Sequence, residues 1–228
     1  MEQTTLKRSE INRRIRHAEE AFRRAGFFLP EWAHWEQEQW QAELGRRGEI
    51  VKAGLGWDLT DFGGGDFDSL GLLLFTVRNG PAGGGSSAPY AEKLMLVGDG
   101  QVTPRHFHWS KTEDIINRGG GTLVLELHMA DRTSEELLEE EFTVYRDGLE
   151  MRCTPGEQVR LAPGQSITLY PYLYHSFWGE RGQCIVGEVS SVNDDNQDNR
   201  FFEPLGRFPS IEEDEPPWRL LCTEYPAG

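Results

Sequence analysis

Residues 100–120 read GQVTPRHFHWSKTEDIINRGG, and residues 164–175 read GQSITLYPYLYH. The first stretch decides the fold. His106 and His108 are two apart, so on an extended strand both imidazoles project from one face. A divalent cation held by that pair needs another donor close by, and Glu113 offers a hard oxygen. The step from 108 to 113 is odd, which on a continuous flat strand puts Glu113 on the opposite face. A turn or bulge must therefore intervene, with Trp109-Ser110 as its expected place. Lys111 shares the parity of Glu113, so an inward Glu113 brings an inward Lys111. The second stretch carries His175 at the end of an apolar, aromatic run. Together His106, His108 and His175 make up three of the six histidines in the chain.

Outward from these stretches the texture is that of short strands. Runs such as GLLLFTVRN, KLMLVGDG, GTLVLELHMA and QCIVGEVSSVN are separated by glycine-rich turns at Gly63-Gly64-Gly65, Gly83-Gly84-Gly85 and Gly119-Gly120-Gly121. That spacing predicts an all-β sandwich or barrel. There is no βαβ alternation, and no lysine of the phosphate-loop kind follows the triple glycines. Before residue 50 the pattern is helical. Ser9 is a candidate N-cap, Ile11, Ile15, Ala18 and Phe22 form an apolar stripe, and Gly26 stands at the expected C-cap. A second helix is expected from Pro30, carrying Trp32, Trp35 and Trp40 onto a sheet. The acidic run at residues 134–141 reads as a solvated face, and the segment from Asp194 to Gly228 as a cover lying over the strands.

The composition bounds the function. The chain has 228 residues, with 23 Lys+Arg against 38 Asp+Glu and a net charge of −15. An acidic balance of that size disfavours nucleic acid and anionic membrane surfaces as partners. No apolar stretch approaches the length of about 20 residues that a spanning helix needs. The amino-terminal residues lack the apolar region of a secretory signal, and Cys153, Cys184 and Cys222 fit no metal-binding spacing. Reduced thiols and a cytoplasmic location are the expectation.

In the first stretch, Gly100, His106, His108, Glu113 and Gly120 match at every position the first motif of the cupin superfamily: glycine, five residues, His-x-His, three or four residues, glutamate, six residues, glycine. Gly164 and His175 match the beginning and the histidine of the second cupin motif. Pro171 stands one place late, Tyr172 replaces an inner glycine and Gly179 replaces the usual asparagine. The longer wording, HFHWSKTEDIINRGGG followed by YPYLYHSFWGE, resembles the D-lyxose isomerase group of sugar isomerases within the cupins, and the likeness runs over most of the chain.

The resemblance implies an all-β fold, the double-stranded jelly-roll β-barrel of the cupins, with N-terminal helices packed on the outside. It divides a single domain, 1–228, into a helical extension (1–50), a barrel core (55–195) and a C-terminal segment over the barrel (196–228). It implies His106, His108, Glu113 and His175 as ligands of a divalent metal, with manganese suited and nickel, cobalt, iron or zinc also compatible. The implied activity is interconversion of D-lyxose with D-xylulose, and of D-mannose with D-fructose, through an enediol, by a homodimer acting on a small sugar. Glu203, between aromatic bulk and Pro204, is the expected proton-transfer base, with Glu113 as its rival and Lys111 as the stabiliser of the enediolate. Lys93, Trp109, Asp195 and Arg207 are candidate sugar contacts. Two other readings fit the same ligands: a cupin dioxygenase and a non-catalytic sugar-binding cupin.

Overall fold

The computed structural model describes residues 5–80, 88–192, 194, 197–206 and 210–226. In chain order its strands begin with β1 (Thr5–Lys7), β2 (Gly56–Thr60), β3 (Leu72–Arg78), β4 (Tyr90–Val97), β5 (Thr103–Phe107) and β6 (Glu113–Met129). There follow β7 (Phe142–Arg146), β8 (Leu149–Cys153), β9 (Glu157–Leu161), β10 (Ser166–Leu169), β11 (Leu173–Ser191), β12 (Arg200–Phe201) and β13 (Ser210–Glu212). The helices are α1 (Arg8–Arg24), α2 (Gln37–Ala42) and α3 (Gly48–Lys52).

Two long strands organise the rest. β6 and β11 pair antiparallel from Leu173 opposite Met129 to Ser190 opposite Glu113, with register shifts between Glu180 and Cys184 and between Ile185 and Val186. At that bend the backbones come too close for side chains. A Cβ on Gly120 would meet the Gln183 carbonyl oxygen at 2.1 Å, and Gly120 has φ +93°. This explains the triple glycine. Strands this long must bend to stay paired across two layers, and only glycine allows it here.

The bend assigns the halves of β6 to different neighbours. Its first half pairs with β10 and its second half with β9. The main sheet runs β2-β3-β4-β11-β6-β10-β7-β8, with β5 also on β11 and β12 on β5. Its inner side chains, including Leu74, Met95, Ile115, Leu125, Val159, Ile167 and Phe177, make one buried cluster. This mostly-β architecture is a cupin fold.

Helix α1 lies on the outer face. Ile11, Ile15, Ala18 and Phe22 are buried, as their spacing requires, against Trp57, Leu73, Phe75, Leu94, Leu96 and Ile185. Gly26, at φ +82°, ends the helical run. Ser9 does not cap the helix, because Lys7 occupies that position and Ser9 donates its N–H and hydroxyl to Asp214. The second helix is broken: a single 3-10 turn, Glu31–His34, precedes α2. Its tryptophans have two destinations. Trp32 stacks on Phe75 with ring centroids 5.1 Å apart, and Trp40 stacks on Tyr225 at 4.0 Å. One straight helix cannot serve both, and the Glu36/Gln39 capping box restarts the turn. These rings pack and form no sugar platform.

The C-terminal segment has no core of its own. β13 pairs parallel with β1, and Leu221 bridges to Trp57. Arg8, 1% exposed, grips the Glu213 carboxylate with two N–H groups, at 2.8 and 2.6 Å, and also holds Glu224. The acidic run is partly used: Glu135 accepts hydrogen bonds from Trp109 Nε1 and Arg200 Nε, both 2.8 Å. Cys153 and Cys184 are buried thiols, and burial pushes both up to about 11.

Candidate active site

His106 on β5 stands opposite His175 on β11, their rings 4.2 Å apart, and His108 follows directly after β5. The chain then bends through Trp109 and Ser110 before β6 starts at Glu113. The expected interruption is where parity placed it, and it turns both Glu113 and Lys111 inward; each is buried. Tyr172 adopts φ +66°, the left-handed conformation that an inner glycine would supply in the second motif. Its N–H donates to the His108 carbonyl, and stacking on Phe107 at 5.1 Å holds the ring. The unusual residue therefore leaves His175 in place.

Each imidazole donates Nδ1–H to a backbone carbonyl: His106 to Pro104, His175 to Leu173 and His108 to Asp198. A carbonyl only accepts, so each ring carries a proton on Nδ1 and is oriented with Nε2 left for another partner. Burial, reinforced by His175 and His108, holds His106 well below the usual histidine range, hence neutral near pH 7. Ligand atoms of the three rings lie within 4.8 Å of one another. Glu113 Oε1 approaches His175 Nε2 at 3.1 Å and His108 Nε2 at 3.4 Å. Yet these three buried atoms form no aligned hydrogen bond. Imidazole nitrogens and a carboxylate oxygen converging in this way fit a divalent cation.

Beyond the imidazoles lies a row of charge. Lys111 Nζ is 2.7 Å from Glu113 Oε2 and donates to Glu188 Oε1 at 3.1 Å. Lys93 Nζ reaches the same Glu188 oxygen at 3.4 Å, and the Ser190 hydroxyl donates to it at 3.1 Å. Two ammonium groups thus balance two carboxylates, which is the condition for burying them at all. Burial works against the Glu113 charge, but Lys111 and then His108 outweigh it and hold the carboxyl well below its ordinary range.

These groups line one cavity. Leu72, Leu74, Met95, Ile115 and Phe177 form apolar walls, and Asp58, Thr60, Thr103 and Asn199 add polar groups. Phe201 on β12 closes one side, 5.5 Å from the His106 ring.

The residues singled out in the sequence divide accordingly. His106, His108, His175, Glu113, Lys111 and Lys93 come together in the cavity. Glu203 does not join them: it lies just past β12, exposed and outside the cavity lining. The aromatic bulk beside it points elsewhere, Phe201 into the cavity and Phe202 onto the Phe107/Tyr174 cluster. Trp109 likewise faces Phe107 and Glu135 and is not part of the lining. Asp195 and Arg207 lie outside the described residues. Sequence reading missed Glu188. Its signal was an acid in step with Cys184 and Val186, which are buried on the inner face of β11.

Fold and site together define a cupin with an imidazole-rich, metal-competent centre and a polar cavity beside it. Residues 6–225 match the D-lyxose isomerase family. The chain is 52% identical over 225 residues to the D-lyxose/D-mannose isomerase of Serratia proteamaculans, covering 96% of this chain and 98% of the relative. It is 50% identical over 224 residues to that of Escherichia coli O157:H7, with the same coverage. Among solved structures, L-ribose isomerase of Acinetobacter sp. DL28 with L-ribose aligns with a TM-score of 0.61 at 18% identity, covering 93% of this chain and 100% of that one. At that identity the likeness concerns the fold. The chain belongs to the D-lyxose isomerase family. It is an aldose–ketose isomerase, and the oxygenase and non-catalytic readings fall away.

Proposed function

We propose that the chain interconverts D-lyxose with D-xylulose, and D-mannose with D-fructose, using a divalent cation held by His106, His108, His175 and Glu113. The relatives named above carry both sugars in their names, and the two aldoses share the configuration at C2. The observation that carries the reading is Lys111 poised between Glu113 and Glu188, beside three imidazoles whose ligand atoms lie within 4.8 Å of one another.

Isomerisation moves a proton between C1 and C2 of the open-chain sugar, and the developing enediolate must be stabilised. When bound, a divalent cation would supply the Lewis acidity that stabilises the developing enediolate. Manganese suits the mixed nitrogen and oxygen donor set, and nickel, cobalt, iron and zinc remain compatible. Glu188 takes the role first given to Glu203. It lies inside the cavity with Oε1 held by Lys111 and Ser190, and its other oxygen is the one that accepts the C2 proton and returns it to C1. Lys111 donates a hydrogen bond to the sugar oxygen where negative charge develops. Lys93 holds Glu188 and offers an N–H to a sugar hydroxyl. The apolar wall of Met95, Ile115 and Phe177 faces the carbon-bound hydrogens and limits exchange with water.

A homodimer and a cytoplasmic location complete the proposal. The buried thiols of Cys153 and Cys184 suit a reducing compartment, and no helix among the described residues is long and apolar enough to cross a membrane. The test is incubation of the manganese-loaded protein with a panel of pentoses and hexoses, with ketose formation read by chromatography. Conversion of D-lyxose and D-mannose is expected. Absence of both, with turnover of another aldose, would reassign the substrate.

A further inference from the structure

One side chain from the C-terminal segment reaches the turn on which the site depends. The Asp198 carboxylate accepts the Ser110 N–H at 3.0 Å, the Ser110 hydroxyl at 2.8 Å and the Lys111 N–H at 2.9 Å. Its own backbone carbonyl accepts His108 Nδ1–H. These are contacts across 87 to 90 residues of chain. They converge on the bend at Trp109-Ser110 that reverses strand parity and brings Lys111 and Glu113 inward.

We propose that Asp198 is the positioning residue of this site: by pinning the turn after His108 it sets the inward placement of Lys111 and Glu113. The physical case rests on the backbone. Residues 108–112 lie between β5 and β6, so their amides lack a continuous strand ladder to hold them. A carboxylate accepting two consecutive N–H groups and a hydroxyl replaces that ladder with charge-assisted bonds. Lys111 and Glu113 must then sit within 2.7 Å of each other while Glu113 Oε1 stays beside two imidazoles. A turn free to re-form would lose that alignment, since displacement by one residue sends the opposite side chains inward. The same segment delivers Asn199 and Phe201 to the cavity wall, so Asp198 also ties that wall to the turn.

The proposal builds on the metal-dependent isomerase reading, and its test separates the two. Asp198→Ala removes the three carboxylate contacts and leaves the carbonyl to His108. In metal-free protein, exchange of the Ser110 and Lys111 amides should rise about tenfold or more. Manganese affinity, read by electron paramagnetic resonance of the free ion, should weaken about 10–100-fold, the usual effect of losing a group that orients ligands. Turnover should fall through kcat more than through KM, because the displaced groups act in the transition state. Ser110→Ala removes one contact and should cause a smaller loss in the same direction, and none in the Asp198→Ala background. It also serves if Asp198→Ala does not fold. Asp214→Ala, which deletes a matching carboxylate-to-serine pair at Ser9, should leave affinity and kcat unchanged. Wild-type amide exchange together with wild-type manganese affinity in folded Asp198→Ala would overturn the proposal. Failure of the wild-type chain to bind manganese would count against the manganese assignment alone, because amide exchange judges the pinning without metal.

Discussion

Lys111 Nζ stands 2.7 Å from Glu113 Oε2, with both side chains 2% exposed. A buried ion pair two residues apart in sequence means that neither charge can be removed without stranding the other. Lys111→Met should therefore destabilise the fold by about 3–5 kcal/mol, the cost of leaving an uncompensated charge inside. Chemical denaturation reads this directly, and a midpoint unchanged from wild type would show that the pair is solvated.

Glu188→Gln keeps size and position but cannot accept a proton. Turnover should fall about 10²–10⁴-fold, the usual weight of a general base, while bound manganese stays stoichiometric. Incorporation of solvent deuterium at C1 or C2 should fall in parallel. The exposed Glu203, changed to Gln, should leave the rate within about twofold of wild type, as surface changes usually do. The reverse ranking would return the proton transfer to Glu203.

His175→Ala and His106→Ala each remove one of three converging nitrogens. Elemental analysis after dialysis should find either variant depleted of metal, with loss of turnover. Full occupancy in both would mean that the cation binds elsewhere.

Arg8 offers a prediction away from the site. It joins α1 to the C-terminal segment through Glu213 and Glu224, and Arg8→Met should cost about 3 kcal/mol, the low end for breaking a buried pair because Glu213 is half solvated. The effect has a sign in pH. The Arg8 hydrogen bond holds the Glu213 carboxyl below its usual value in the folded chain. A depressed carboxyl contributes stability that is complete above its unfolded pKa and lost as pH falls through the folded one. Thermal melts from pH 7 down toward pH 3 should therefore bring wild type and Arg8→Met together. A gap that widens with acid would contradict the assignment.

Much of this was legible in one dimension because period and spacing are local. Two histidines with parity 2, a glutamate at an odd step and the glycines around them announced a cupin with a bend at Trp109-Ser110. The apolar stripe at Ile11, Ile15, Ala18 and Phe22 announced α1. The motif at Gly164 and His175 survived an unusual Tyr172, because a left-handed turn needs a positive φ and the stack on Phe107 secures it without glycine.

What the sequence by itself determined was thus the fold family and the shared inward face of Lys111 and Glu113, both of which follow from spacing over a few residues. Only the tertiary structure decided which further carboxylate enters the cavity. Glu188 and Glu203 have equal chemistry, and aromatic neighbours recommended Glu203. The choice depends on which strand face looks inward and on where a strap of two paired residues, β12, ends. Asp198 belongs to the same category. Its partners lie nearly ninety residues away, and hydrogen bonds across that distance exist only once β5, β6, β11 and the C-terminal segment have packed.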